Sequence, residues 1–156
     1  LAALLYTSGT TGRSKGAMLS HRNLLSNARV LVDLWQFTRD DVLLHALPIY
    51  HTHGLFVASN TVMLSGGAMI FLSKFDADEV MRLLPRATSM MGVPTFYTRL
   101  IKHSGLTRAA CAHMRLFTSG SAPLPMRPMR SGLPWATRKP PRTTPGSAAL
   151  TGRTGP

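Results

Sequence analysis

Thr7-Ser8-Gly9-Thr10-Thr11-Gly12-Arg13-Ser14-Lys15-Gly16 directly follows the apolar run Leu1 to Tyr6. Glycines at 9, 12 and 16 permit close backbone approach, and five hydroxyls with one Lys15 ammonium supply donors for a polyanion. The stretch reads as a phosphate-binding loop between two strands. It is not a Walker A loop, because Gly12 stands three residues before Lys15 and Gly16 follows the lysine. A plain flexible loop fits the same Ser/Thr/Gly composition.

Outward from the loop, Leu1 to Tyr6 and Ala17 to Leu19 read as short strands. Ser20 can cap a helix over His21 to Trp35, with Leu24, Leu25, Ala28, Leu31, Val32 and Trp35 as its buried stripe. Val42 to Leu47 reads as a buried strand ended by Pro48, and a helix is expected over Leu55 to Leu64, closed by Gly66-Gly67. A strand over Ala68 to Leu72 follows, then a helix opened by Asp76 with Glu79 in a capping-box position. Ser89 to Val93 is the next strand, Thr95 the expected cap of the next helix, and Leu116 to Thr118 another strand. Strands alternating with helices define an α/β class, here a partial layered sandwich with a mixed or parallel sheet.

The run Thr7 to Gly16, continuing into Ala17-Met18-Leu19-Ser20-His21, resembles the signature of the adenylate-forming acyl-CoA synthetases. Two further stretches resemble the same family in the same order. One is Pro48-Ile49-Tyr50-His51-Thr52-His53-Gly54; the other is Ser119-Gly120-Ser121-Ala122-Pro123-Leu124, preceded by the family-like Gly92 to Leu100. The resemblance implies ATP phosphate binding for Thr7, Ser8, Gly9, Thr10, Thr11, Gly12 and Lys15. It implies a gating role between the ATP and acyl sites for His51, and an acyl or carboxylate pocket formed with His53, Ser119, Gly120, Ser121 and Ala122. It further implies ATP, magnesium and coenzyme A as the cofactors and co-substrates of the intact enzyme. The His51-Thr52-His53-Gly54 segment resembles the malonyl-CoA synthetase branch, which implies malonate or methylmalonate as the acid. For such a diacid Arg99 is a partner for the carboxylate that does not react, and a surface arginine on an amphipathic helix is an equal reading of it.

Two histidines one residue apart suggest a metal, but no Cys/His group at standard spacing completes a zinc set, so no metal site is expected. Cys111, the single cysteine, excludes an internal disulfide framework and suits a reducing compartment, with the cytoplasm as the default. No segment supplies the ~20 apolar residues of a membrane span. The net charge of +12 would ordinarily suggest nucleic acid, yet Met126 to Pro156 alone carries five Arg and one Lys without an acid. The other +6 is scattered, with no basic face, so nucleic-acid binding is a second-class alternative, beside a non-catalytic nucleotide-binding remnant.

The family resemblance ends at Pro125, where a Tyr-Gly-x-Thr-Glu run, a ribose-binding Asp and a mobile C-terminal domain with a catalytic lysine would follow. The expected division is a partial adenylation domain over 1–125 and a basic tail over 126–156. Six of the eleven prolines lie in that tail, which is expected to be disordered. Its composition fits an out-of-frame reading of a GC-rich gene, and a natural linker as well. Together with a start at Leu1, this leads to the expectation of an internal fragment or broken gene product, inactive alone and lacking the remainder of the synthetase.

Overall fold

A computed structural model describes residues 1–7, 14–121 and 148–151. The chain opens with an antiparallel hairpin of β1 (Ala3–Thr7) and β2 (Lys15–Leu19), in register from Ala3 opposite Leu19 to Thr7 opposite Lys15. This hairpin is a sheet of its own, separate from the main sheet.

Helix α1 (His21–Trp35) begins where the sequence places it. The Ser20 hydroxyl accepts from the Asn23 amide at 3.1 Å while Asn23 Oδ1 accepts from the Ser20 amide at 2.9 Å, so two otherwise orphaned donors are satisfied reciprocally. Ala28 and Trp35 are buried as expected, but Leu25 is 41% exposed, so only part of the apolar stripe is covered.

The main sheet has the order β4-β3-β5-β6-β7. Strands β3 (Val42–His45), β4 (Ala68–Phe71), β5 (Ser89–Gly92) and β6 (Leu116–Ser119) are parallel, and β7 (Ala148–Thr151) joins β6 antiparallel. Strand β7 departs from the expectation of a tail without structure. Ala148-Ala149-Leu150-Thr151 contains neither proline nor charge, and it pairs with the edge that β6 would otherwise leave open.

Side-chain alternation builds a core on each face of the sheet. Leu43, Met91 and Leu116 join Trp35, Phe37, Ala58 and Val62 on the side of α1 and of α2 (Asn60–Ser65). Leu44, Met90 and Phe117 join Val80, Leu84, Tyr97 and Leu100 on the side of α3 (Ala77–Leu83) and α4 (Pro94–Ile101). Burying each such Leu, Met or Phe contributes about 1.5–3 kcal/mol. The Tyr97 hydroxyl donates to the carbonyls of Met90 and Thr118, tying α4 to two neighbouring strands, and its burial pushes the phenol pKa up.

Three local expectations need adjustment. The segment before α2 forms wide π-type turns over His53–Ser59, so the helical stretch begins two residues before Leu55. Asp76 caps α3 through a 3.0 Å bond from the Glu79 amide, but Glu79 pairs with Arg82 instead of returning to the cap. Helix α4 is capped at Val93 with no side-chain bond, because Pro94 occupies its first turn, where a missing N–H costs nothing. Among the described residues no helix is long and apolar enough to cross a membrane.

At the amino ends of the strands, Arg115 fastens three elements together. Its guanidinium donates to both oxygens of the buried Asp41, to the Trp35 carbonyl at 2.9 Å and to the Gln36 carbonyl at 3.1 Å, where a cation also suits the C-terminus of α1. Thr88 donates to the same Asp41 carboxylate at 2.7 Å. This network leaves the opposite, carboxyl end of the sheet for the site.

Candidate active site at the carboxyl ends of the parallel strands

The chain leaves β3 toward β4 on one side, then returns to place β5 on the other side, so the direction of winding reverses between β3 and β5. In open α/β sheets ligands bind in the crevice outside the strand ends at such a reversal. A cavity of ≈ 240 Å³ lies there, lined by Leu47, Pro48, His51, Thr52, His53, Gly54, Val93 and Ser121. These residues follow β3, β5 and β6, and the Gly120 amide donates to the Gly92 carbonyl at 3.2 Å to join the last two strand ends.

Gly54 makes the tight corner possible. A Cβ there would lie 2.2 Å from the Pro48 carbonyl oxygen, so only glycine lets the two backbones touch. His51 is exposed, its ring 4.6 Å from that of Tyr50, and its carbonyl accepts from Leu55 at 2.9 Å to start the following turns. His53 points inward, with Nδ1 3.1 Å from Ser121 Oγ and its ring against Gly120, where a Cβ would come within 3.1 Å. Burial, and then the nearby His45, hold the His53 pKa below the ordinary histidine value, so the ring is neutral at neutral pH. Ser121 adopts φ 67°, left-handed backbone that a serine rarely takes, at the mouth of this pocket.

The structure thus brings together His51, His53, Gly120 and Ser121 from the sequence-predicted set. Ser119 is buried in the last position of β6, and its hydroxyl has no hydrogen-bond partner among the described residues. Thr7 and Lys15 face each other across the hairpin ends; Ser8, Gly9, Thr10, Thr11, Gly12 and Ala122 lie outside the described residues. Arg99 does not line the cavity. Its exposed guanidinium sits 4.9 Å from the Phe75 ring centroid, and Phe75 in turn stacks on Phe96 at 4.1 Å. His45, Thr52 and Val93 were not singled out by sequence. His45 is hidden inside an apolar strand, and its position at the carboxyl end of that strand was the available signal.

Four parallel strands with helices on both faces of the sheet, and a small pocket at the winding reversal, define an α/β domain of the kind that takes ligands at its strand ends. The chain belongs to the AMP-binding enzyme family, which matches residues 1–135. Among curated relatives, the mitochondrial malonate–CoA ligase ACSF3 of Mus musculus is 39% identical over 141 residues, covering 80% of this chain and 24% of its own length. The malonate–CoA ligase of Arabidopsis thaliana is 35% identical over 144 residues with the same coverage. Among solved structures, apo MatB from Rhodopseudomonas palustris is 63% identical with a TM-score of 0.81, covering 85% of this chain and 27% of that one. A malonyl-CoA ligase in a ternary product complex with methylmalonyl-CoA and AMP is 37% identical with a TM-score of 0.74, covering 83% of this chain and 30% of its own. The chain spans about a quarter of the length of the curated relatives it matches.

Proposed function

We propose that residues 1–125 are the phosphate-loop and acid-pocket part of an ATP-dependent acid–CoA ligase acting on malonate or methylmalonate, and that residues 126–156 contribute nothing to its site. The carboxylate oxygen attacks the α-phosphorus of ATP, pyrophosphate leaves, and the acyl-adenylate then loses AMP to the attacking thiol of coenzyme A. Thr7, Ser8, Gly9, Thr10, Thr11, Gly12 and Lys15 hold the phosphates. Hydroxyl, amide and ammonium donors stabilise charge that moves onto the leaving pyrophosphate. Magnesium would come in on those phosphates, as it does when it retains water and few protein ligands. A reducing compartment such as the cytoplasm suits the single, buried Cys111 thiol, whose pKa burial pushes up to about 12.

The observation that carries this reading is the cavity itself. It brings His51 and His53, which follow β3, together with Ser121, which follows β6, at the carboxyl ends of the strands. The paired His53 and Ser121 present hydrogen-bonding groups to a carboxylate, and His51 stands at the rim. Relatives named as malonate–CoA ligases support the choice of acid. The second carboxylate needs a cation, since burying it unpaired is costly, and Arg99 is assigned that role. Its guanidinium rests on the half-buried Phe75 ring, a contact it can give up for a carboxylate.

The test is Arg99→Ala in a complete ligase carrying this segment, with ATP–pyrophosphate exchange measured on malonate and butyrate. Loss of one charge-assisted contact lowers kcat/KM for malonate about 100-fold, with little change for butyrate. A wild type that prefers butyrate would overturn the choice of acid, and an equal loss on both acids would make Arg99 structural.

A further inference from the structure

His45 is the last residue of β3 and is fully buried, yet it carries two polar ring nitrogens. Its Nε2 lies 3.0 Å from the Gly54 carbonyl oxygen and 3.3 Å from Ser59 Oγ, and Ser59 itself donates to the Gly54 carbonyl at 2.9 Å. A carbonyl can only accept, so Nε2 carries the proton. Nδ1 is then an unprotonated nitrogen, buried without a partner among the described residues, and the ring is neutral, in keeping with a pKa that burial lowers. Phe71 closes the other side, with ring centroids 5.1 Å apart.

These contacts converge on one peptide. Gly54 is held from one side by the Pro48 backbone and from the other by two side-chain donors on its carbonyl, and the same segment departs from α-helical geometry into π-type turns. Wide turns of this kind free a backbone carbonyl for other partners, and they recur at functional sites. His53 precedes Gly54 directly, and His51 stands three residues before it, so an anchored Gly54 fixes where both imidazoles stand over the cavity.

We propose that His45 is a positioning residue of the acid pocket: its Nε2–H, with Ser59, clamps the Gly54 carbonyl and thereby sets the placement of His51 and His53. The clamp joins the sheet to the pocket rim without touching the ligand. This inference rests on the assignment of the cavity as the acid site, so its test has one readout independent of turnover. His45→Gln keeps an N–H near the Nε2 position, whereas His45→Leu fills the space and donates nothing.

Both variants are made in the full 156-residue chain for ring ¹H–¹⁵N spectra, and in a complete malonyl-CoA ligase carrying residues 1–121 for kinetics. In the wild-type spectrum His45 is the Nε2–H tautomer. His45→Leu shifts the His51 and His53 ring signals and raises KM for the acid about tenfold with kcat changed less, and His45→Gln restores both. Unmoved His51 and His53 signals in His45→Leu, or Gln and Leu variants that behave alike, would overturn the clamp. An Nδ1–H tautomer for His45 would overturn it as well. A wild-type ligase that ignores malonate, with the spectral differences intact, would refute the acid assignment and leave the clamp standing.

Discussion

Gly54→Ala is the sharpest perturbation of the pocket. The added Cβ falls 2.2 Å from the Pro48 oxygen, 2.8 Å from the Pro48 carbonyl carbon and 3.2 Å from the Leu47 oxygen, all of them backbone atoms. An ordinary contact needs roughly an ångström more than the shortest of these, so the backbone at 47–54 must part by about that amount. Overpacking of this kind costs about 1–3 kcal/mol of stability. The larger effect is on geometry, because a displacement of about 1 Å in positioning residues can cost on the order of 100-fold in rate. Gly120→Ala is the milder comparison: the atoms nearest its Cβ are those of the His53 ring, at 3.1 Å, and that side chain can shift where a backbone cannot. Pyrophosphate release in a complete ligase, with urea unfolding alongside, should therefore rank Gly54→Ala far below Gly120→Ala. Near-wild-type turnover in a folded Gly54→Ala protein would refute the claim that this corner sets the site.

Arg115→Met should cost about 3 kcal/mol in urea unfolding, because it strands the buried Asp41 carboxylate. Burial pushes the Asp41 pKa up, but bonds from Arg115, the Thr38 amide and Thr88 outweigh it and hold the folded value below 3.8. Its contribution is thus complete above that unfolded value and is lost as pH falls through the folded one; the gap between Arg115→Met and wild type should narrow from pH 7 toward pH 3, and a pH-independent gap would contradict the pairing. Lys15→Ala in a complete ligase should slow adenylation at least tenfold while leaving the unfolding free energy within about 0.5 kcal/mol of wild type, since an exposed strand position contributes little to stability. Wild-type adenylation in that variant would remove Lys15 from the phosphate site.

Much of the fold was readable because its local signals agree. Ser20 and Asp76 cap the helices expected of them, Gly66 closes α2 at φ 75°, and the apolar runs around Leu43-Leu44, Met90-Met91 and Leu116-Phe117 are strands buried on both faces. The separation of the β1–β2 hairpin from the main sheet was not readable, since strand pairing between distant segments leaves no local mark in five residues. The π-type turns at His53–Ser59 were hidden for a related reason: they go together with a bond to the Gly54 carbonyl from His45, nine residues away in sequence. Of the site, the motifs around His51 and Ser121 were visible, and their meeting at 3.1 Å through His53 was not. The placement of Arg99 over Phe75 depends on tertiary packing of α4 that amphipathic spacing alone does not specify.

Activation of a carboxylate by attack on the α-phosphorus of ATP leaves an isotopic trace in the nucleotide product. A complete ligase carrying this segment is given malonate labelled with ¹⁸O in its carboxylates, together with ATP, magnesium and coenzyme A, and the nucleotide product is examined by mass spectrometry. Formation of an acyl-adenylate followed by thiol attack on the acyl carbon leaves one ¹⁸O on the phosphate of AMP and none in pyrophosphate. Label in inorganic phosphate with ADP as the nucleotide, or unlabelled AMP beside malonyl-CoA, would contradict adenylation.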